Sequence, residues 1–337
     1  MILGEAASAN DQSRGPSLTL DGIFHGQALR RPDALALTDP ANRATFTDGS
    51  PYRLTYAEAD RVVTAIAARL RDMGLSTDTV VGVQLPNIAA SFLATLAVLR
   101  AGMIVAALPL LYRRADAVAA LARIGAKVLI TCNRVGAFNQ AQSAMTVAAD
   151  VFSIRYVCGF GQNLPDGVVS FADLFTAEDL DPAPAREQEI RSNAAAHIAA
   201  ITFDVGEGGI VPVARSHAEL LAGGLAVLLE SGIAQDQIIQ SALAPSSFAG
   251  ICLTLVPWLL CGGTLVLHHA LDLPTLARQT REEESATLIL PGPVAFRLAA
   301  AGVFTDTGPA SIIAAWRAPE RLATSQAWRA ASGALID

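Results

Sequence analysis

The chain has 337 residues, of which 52% are hydrophobic and 16% charged, with a formal net charge of -7. That balance supplies a large core over about two domain-sized units and excludes extensive disorder. An acidic chain with a single lysine, Lys127, also excludes nucleic acid as the main partner, because phosphate contacts need clustered basic side chains.

Residues 1–18 are polar and small, and are expected to form a loose tail with neither the basic start nor the apolar core of a signal peptide. In "TLDGIFHGQALRRPDALALTD", Asp21 is expected to cap a short helix ending near Arg30, and Ala34 to Thr38 to form a strand. "RLTYAEADRVVTAIAARLRDMGL" is the clearest helix. Thr55 and Glu58 have capping-box spacing, Val62, Ile66 and Leu70 repeat at helical spacing, and Gly74 stops it. Strand "TVVGVQLPN", helix Ile88 to Arg100, strand "AGMIVAALP", helix "RADAVAALARIGA" and strand "KVLIT" follow. Apolar strands alternating with helices predict parallel sheets covered on both faces.

The polar stretch "DLFTAEDLDPAPAREQEIRSNA" reads as a linker between two α/β subdomains, 19–190 and 191–337. The alternation then repeats: strand "AHIAAITFD", helix "SHAELLAGGLAVLLESGI", strand "QIIQSALA", helix "GICLTLVPWLL", strand "GGTLVLHH", helix "DLPTLARQTREEE", strand "ATLILPGP" and helix "VAFRLAAAG". Ile251 to Leu267 approaches the length of a membrane span, but Pro257 and Gly262-Gly263 break it. Cys132, Cys158, Cys252 and Cys261 form no C-x-x-C pair and no cluster with zinc spacing, and are expected to be buried free thiols of a cytoplasmic protein. His268 and His269 are expected to be a surface pair at a strand end. As adjacent residues they point to opposite faces and make a poor metal site. No catalytic residue and no metal ligand stands out.

Between Ile201 and His217, "ITFDVGEGGIVPVARSH" has the outline of a phosphate-gripping loop: apolar strand, glycine-dense turn, helix. With Leu54-Thr55-Tyr56-Ala57-Glu58, Leu85-Pro86-Asn87 and the Ala101-Gly102 to Leu108-Pro109 turn ahead of it, and "LVPWLLCGGTLVLHH" and "ATLILPGP" after it, the chain resembles the adenylate-forming enzymes over about residues 20–300. This superfamily includes acyl-CoA synthetases, nonribosomal-peptide adenylation domains and luciferases. The resemblance implies an N-terminal domain of two βαβ-type subdomains with mostly parallel sheets. It also implies a reaction in which ATP and a carboxylic acid give an acyl-adenylate, whose acyl group passes to coenzyme A or a carrier pantetheine.

The same resemblance places the nucleotide loop at Asp204, Gly206, Glu207, Gly208 and Gly209, with Arg215 as the nearest cation. It places the acyl pocket at Ser247, Phe248, Gly250 and Pro291. ATP or AMP with Mg²⁺ would be the cofactors, and a small carboxylic acid or acyl thioester the ligand. Two departures oppose this. The family's hydroxyl positions hold Asp204, Val205, Glu207 and Gly208, and its lysine falls near Val211 or Pro212. The family's later adenine- and ribose-binding motifs and its C-terminal lid domain have no counterpart before Asp337. The expectation is a truncated or degenerate relative, impaired in adenylation. The alternatives are a functional ligase fragment and a non-catalytic accessory subunit acting beside an active homologue or carrier protein.

Overall fold

The structure is a computed structural model that describes residues 18–175, 193–269, 272–283, 287–304, 309–316 and 334–336. Most of the expected tail and linker therefore lie outside the described residues. In chain order the strands are β1 (Leu35–Thr38), β2 (Arg53–Thr55), β3 (Val80–Val83), β4 (Ile104–Ala107), β5 (Val128–Cys132), β6 (Arg134–Val135), β7 (Phe138–Asn139), β8 (Tyr156–Phe160), β9 (Val168–Ser170), β10 (Ile198–Gly206), β11 (Gly209–Ser216), β12 (Ile239–Ser241), β13 (Leu265–Leu267), β14 (Thr287–Pro291), β15 (Ser311–Ala315) and β16 (Ala334–Ile336).

Two seven-stranded sheets result. Sheet A has the order β16-β15-β14-β12-β13-β1-β2, and sheet B the order β11-β10-β4-β3-β5-β8-β9. Each contains the same five-strand parallel module. In sheet B the strands β3, β4, β5, β8 and β9 lie in the spatial order second-first-third-fourth-fifth. In sheet A the strands β12 to β16 do the same. Each module is widened at its second strand by one parallel and one antiparallel strand. These are β1 and β2 beside β13, and β10 and β11 beside β4. Sheet membership therefore crosses the boundary expected at residue 190: β1 and β2 join the later sheet, and β10 and β11 the earlier one.

The largest core lies between the sheets. Strand residues such as Leu37, Ile239 and Leu265 from sheet A and Val81, Val105 and Ile130 from sheet B share it with helices Leu20–Arg30, Tyr56–Asp72, Ala89–Arg100 and Val256–Cys261. Helix Ala89–Arg100 is buried from Ala89 to Leu99, which explains why its sequence is apolar all round. Trp258 sits at the centre, with ring centroids 5.7 Å from Phe24, 6.3 Å from Tyr56 and 6.2 Å from Phe92. The carbonyl of Gly263 accepts from Trp258 Nε1 and from Tyr56 Oη, so the polar ends of both rings are satisfied. Smaller cores cover the outer faces, under helices Arg114–Arg123 and Gln140–Asp150 on sheet B and Leu273–Glu282 and Gly292–Ala300 on sheet A.

Local signals behave as their chemistry requires. The Thr55–Glu58 capping box forms in both directions. The first helix is capped by Thr19, whose hydroxyl accepts from Gly22 N, and not by Asp21, which sits in its first turn. Ile251 to Leu267 splits into a π-helical turn, a short α-helix closed by left-handed Gly262, and a strand. No helix among the described residues is long and apolar enough to cross a membrane. All four cysteines are buried and free.

Two polar latches join the sheets. Asp39, at the end of β1, is 1% exposed. It accepts from Arg43 at 2.6 Å, from Tyr52 N at 3.0 Å and from Ala89 N at 2.7 Å. Burial pushes its carboxyl up, while Arg43 and the two amides pull against that. Asn87, just past β3, donates to the carbonyls of Ser241 and His268, each at 3.0 Å.

The two histidines follow β13 on opposite sides, as adjacency requires, but they are not a surface pair. Asn87 and two covering elements enclose them. His268 Nδ1 lies 3.2 Å from Gln279 Oε1, and His268 is 1% exposed. The His269 ring lies 4.8 Å from Phe46, and burial pushes its pKa down to about 4.

Two predictions follow from the latches. Asp39→Ala leaves a buried guanidinium and an uncapped helix, so it should cost about 3–5 kcal/mol in urea denaturation. Removing Arg53 from its exposed pair with Glu283 should cost under about 1 kcal/mol; equal losses would refute the assignment of Asp39 as a latch. For His269 the neutral ring is the buried form. The folded state therefore binds fewer protons than the unfolded chain between pH 6.5 and about 4, and stability falls as pH drops through that window. The loss attributable to His269 between pH 7 and 4.5 is about 2–3 kcal/mol. His269→Phe should remove that part of the slope, measured as urea midpoints at both pH values, with carboxylate contributions common to both proteins.

Candidate functional site

The expected phosphate loop is the tip of a hairpin, not a strand-to-helix turn. β10 and β11 pair without interruption from Ala200↔Arg215 to Gly206↔Gly209, leaving Glu207-Gly208 as a two-residue turn. Gly209 has φ +94°, a conformation that favours glycine. The helix His217–Ser231 begins only after β11, on a second capping box from Ser216 and Glu219. The sequence conceals this because "GIVPVARS" looks like a loop: Pro212 has no amide to donate, and small and polar residues interrupt its apolar alternation.

Pairing also fixes which way side chains point. β10 runs parallel to β4 and pairs with it only at Ala200 and Ile201, so the hairpin tip projects beyond the carboxyl edge of sheet B. Phe203 and Ile210 join the outer core, where Phe203 lies 6.2 Å from the Tyr112 ring and Arg123 donates to the Ile210 carbonyl. Asp204 lies opposite Val211, one residue out of phase, and both face the inner side. The register thus distinguishes the two lysine-equivalent candidates: Val211 is on the inner face beside Asp204, and Pro212 on the outer face beside Phe203. Asp204, Gly206, Glu207, Gly208 and Gly209 are all exposed.

Arg215 is not with them. It sits at the base of the hairpin, six residues from Gly209, or about 20 Å along the strand. There its guanidinium lies 4.0 Å over the Phe248 ring. Two expected regions, hairpin and acyl pocket, therefore meet at Arg215 and Phe248 and not at the tip.

The four pocket candidates surround the topological switch point of sheet A. Ser247, Phe248 and Gly250 follow β12, and Pro291 ends β14 beside it. Open α/β sheets bind ligands in the crevice outside such carboxyl ends. Ser247 caps the next helix by accepting from Gly250 N. Gly250 has no room for a side chain, since an added Cβ would meet the Ala244 carbonyl at 1.8 Å. The Phe248 ring packs toward Gly223 of helix His217–Ser231 and is 38% exposed. Pro291 is followed by Gly292, against which the Trp316 indole lies so closely that an added Cβ would meet it at 2.0 Å. Trp316 went unassigned in the sequence, where only chain folding brings it to that glycine.

Next to this loop, a closed seam with no room for a water molecule lies between Val83, Val105 and Ala107 of sheet B, Ser91 and Thr95 of helix Ala89–Arg100, and Ser246. Burial pushes the Cys132 and Cys158 thiols up to about 12 and Cys252 up to about 11, so none is a nucleophile at neutral pH. No group of three His, Cys, Asp or Glu side chains among the described residues is placed to hold a metal ion.

Comparison with known proteins agrees with this architecture. A model of the AMP-binding enzyme family matches residues 24–334. A 2-hydroxy-7-methoxy-5-methyl-1-naphthoate–CoA ligase of Streptomyces carzinostaticus is 26% identical over 286 residues, 82% of this chain and 50% of the relative. A salicyl-AMP ligase / salicyl-S-ArCP synthetase of Mycobacterium tuberculosis is 33% identical over 169 residues, 49% of this chain and 28% of the relative. The apo structure of Mycobacterium smegmatis MbtA superposes with a TM-score of 0.71 at 21% identity, covering 88% of this chain and 52% of that one, a likeness of fold. The chain spans half or less of the length of these two curated relatives. On the match of its sequence from residue 24 to 334, the chain belongs to the AMP-binding enzyme family.

Proposed function

We propose that this chain is an adenylate-forming-family module whose phosphate hairpin keeps its backbone but does not support adenylation with the residues it carries. The observation behind this is the side-chain inventory of the hairpin. From Asp204 to Ala214 it holds two carboxylates and neither a hydroxyl nor a cation. Charge on a bound triphosphate is stabilised by backbone N–H groups, hydroxyls and a cation. Two carboxylates at such a tip do the reverse. A single like-charge pair about 4 Å apart costs about 1 kcal/mol in water and about 4 kcal/mol near a protein surface. The residues present therefore do not fit ATP with Mg²⁺ at the tip.

The crevice beside Ser247 and Pro291 does not share this defect. It lies at the switch point, outside the carboxyl ends of β12 and β14 where open α/β sheets take ligands, and that position suits entry of a small carboxylic acid or acyl thioester. A module that binds such a ligand without activating it would act beside an active homologue or a carrier protein.

ATP–pyrophosphate exchange tests this directly. A panel of acids should start with aromatic ones, because salicyl and naphthoate groups appear in the names of two relatives. No exchange above background is expected, and robust exchange with any acid would overturn the proposal. Combining Asp204→Thr, Glu207→Ser and Val211→Lys should tighten ATP binding by about tenfold or more, since it exchanges two repulsions for a cation and two hydroxyls. Calorimetric titration of both proteins with ATP reads this out. An unchanged affinity would show that the tip is not the main defect.

A further inference from the structure

Arg215 is an unusual cation in this fold. Its Nε is buried without a hydrogen-bond partner, and its guanidinium has the Phe248 ring beneath it. No carboxylate among the described residues is within ion-pair distance of it. Glu219 feels its charge, but that carboxylate already accepts from Ser216 N at 2.7 Å and Ser216 Oγ at 2.9 Å. The other titratable group that feels Arg215 is the protonated Cys252 thiol. The guanidinium thus has a ring on one face and a carboxylate only at longer range, already engaged in the capping box.

Sheet register places this cation on the inner face of sheet B. Val105, Ala200 and Arg215 are directly paired across β4, β10 and β11, so their side chains share one face of sheet B. Val105 and Ser246 line the same seam, and Ser246 precedes Phe248 by two residues. Two strand spacings put Arg215 about 10 Å from the Val105 wall. A guanidinium with no ion-pair partner among the described residues, a partly exposed aromatic ring and the Ser246 turn thus follow one another along this face.

We propose that Arg215 anchors an oxyanion subsite at the base of the hairpin. It would hold a carboxylate or phosphoryl group on the guanidinium fork, with the rest of the ligand along Phe248 toward Ser246. A planar fork stacked on a ring, with no carboxylate in ion-pair contact among the described residues, is arranged for bidentate recognition of such a group. This subsite is separate from the hairpin tip and does not depend on whether the tip binds nucleotide.

Inorganic phosphate and benzoate, titrated separately at constant ionic strength, distinguish the two anion sources by calorimetry and thermal shift. At least one is expected to bind the wild-type chain and raise its Tm. A response to phosphate alone assigns the phosphoryl class, and a response to benzoate alone the carboxylate class. Arg215→Gln should weaken that binding by about tenfold or more. Arg215→Lys, which keeps the charge and loses the fork, should bind with intermediate affinity and supplies the comparison if Arg215→Gln does not fold. No response to either anion in the wild type, or an affinity unchanged in these variants, would overturn the proposal. Because neither titration uses ATP, failure here is distinct from a positive exchange assay.

Discussion

The Asp39 carboxylate is the constraint on which the two-sheet arrangement depends. It belongs to sheet A through β1, yet it accepts from the first amide of the helix that covers the inner face of sheet B. A buried carboxylate is tolerated only when its lone pairs are taken up, and here Arg43, Tyr52 N and Ala89 N take them. A helix N-terminus is a natural anion site, and in this chain an internal anion fills it. Asn87 fastens the same junction from the other direction. With both latches at carboxyl ends of strands, the edges where α/β sheets hold ligands are turned toward each other.

Duplicated topology then produces two switch points with different fates. In sheet B the crevice beside β3 is occupied from within. Gln84 donates to the carbonyls of Pro109 and Tyr112, Gln140 donates to Gln84, and Asp39 covers the adjoining helix terminus. In sheet A the crevice beside β12 is bordered by Ser247 and Pro291 with an obligate glycine at 250. The same five-strand module therefore serves as scaffold in one copy and as candidate ligand site in the other.

Much of this was legible in the sequence where the cause is local. The Thr55–Glu58 capping box, apolar periodicity and the L-P-N turn each state a short-range requirement, and the alternation of strands and helices gave the fold class. Legibility ended where partners are distant. β1 joins β13 across more than 200 residues, and nothing in "LALT" names that neighbour. His268 and His269 looked like surface residues because a strand end is usually exposed, but Asn87, Phe46 and Gln279 enclose them from three other segments. Arg215 looked like a substitute for a missing lysine because linear distance hid the hairpin, which carries it to Phe248.

The hairpin separates the frame of a site from the side chains it carries. Its strands are held by groups that have no part in phosphate binding: Phe203 and Ile210 in the outer core, Arg123 on the Ile210 carbonyl, and an uninterrupted ladder of backbone pairs. Its tip, from Asp204 to Gly209, is solvent-exposed and contributes little to that core. Substitutions at Asp204 to Gly208 are nearly free in stability, since surface changes usually fall within about 0.5 kcal/mol, whereas Gly209 is held by its positive φ. Folding therefore preserves the frame whether or not the tip grips a phosphate. Only selection for the activity itself would keep hydroxyls and a lysine on it. Arg215 stands differently: it sits at the base of the hairpin, against the Phe248 ring, where its Nε is buried and a substitution reaches beyond the solvent-exposed tip.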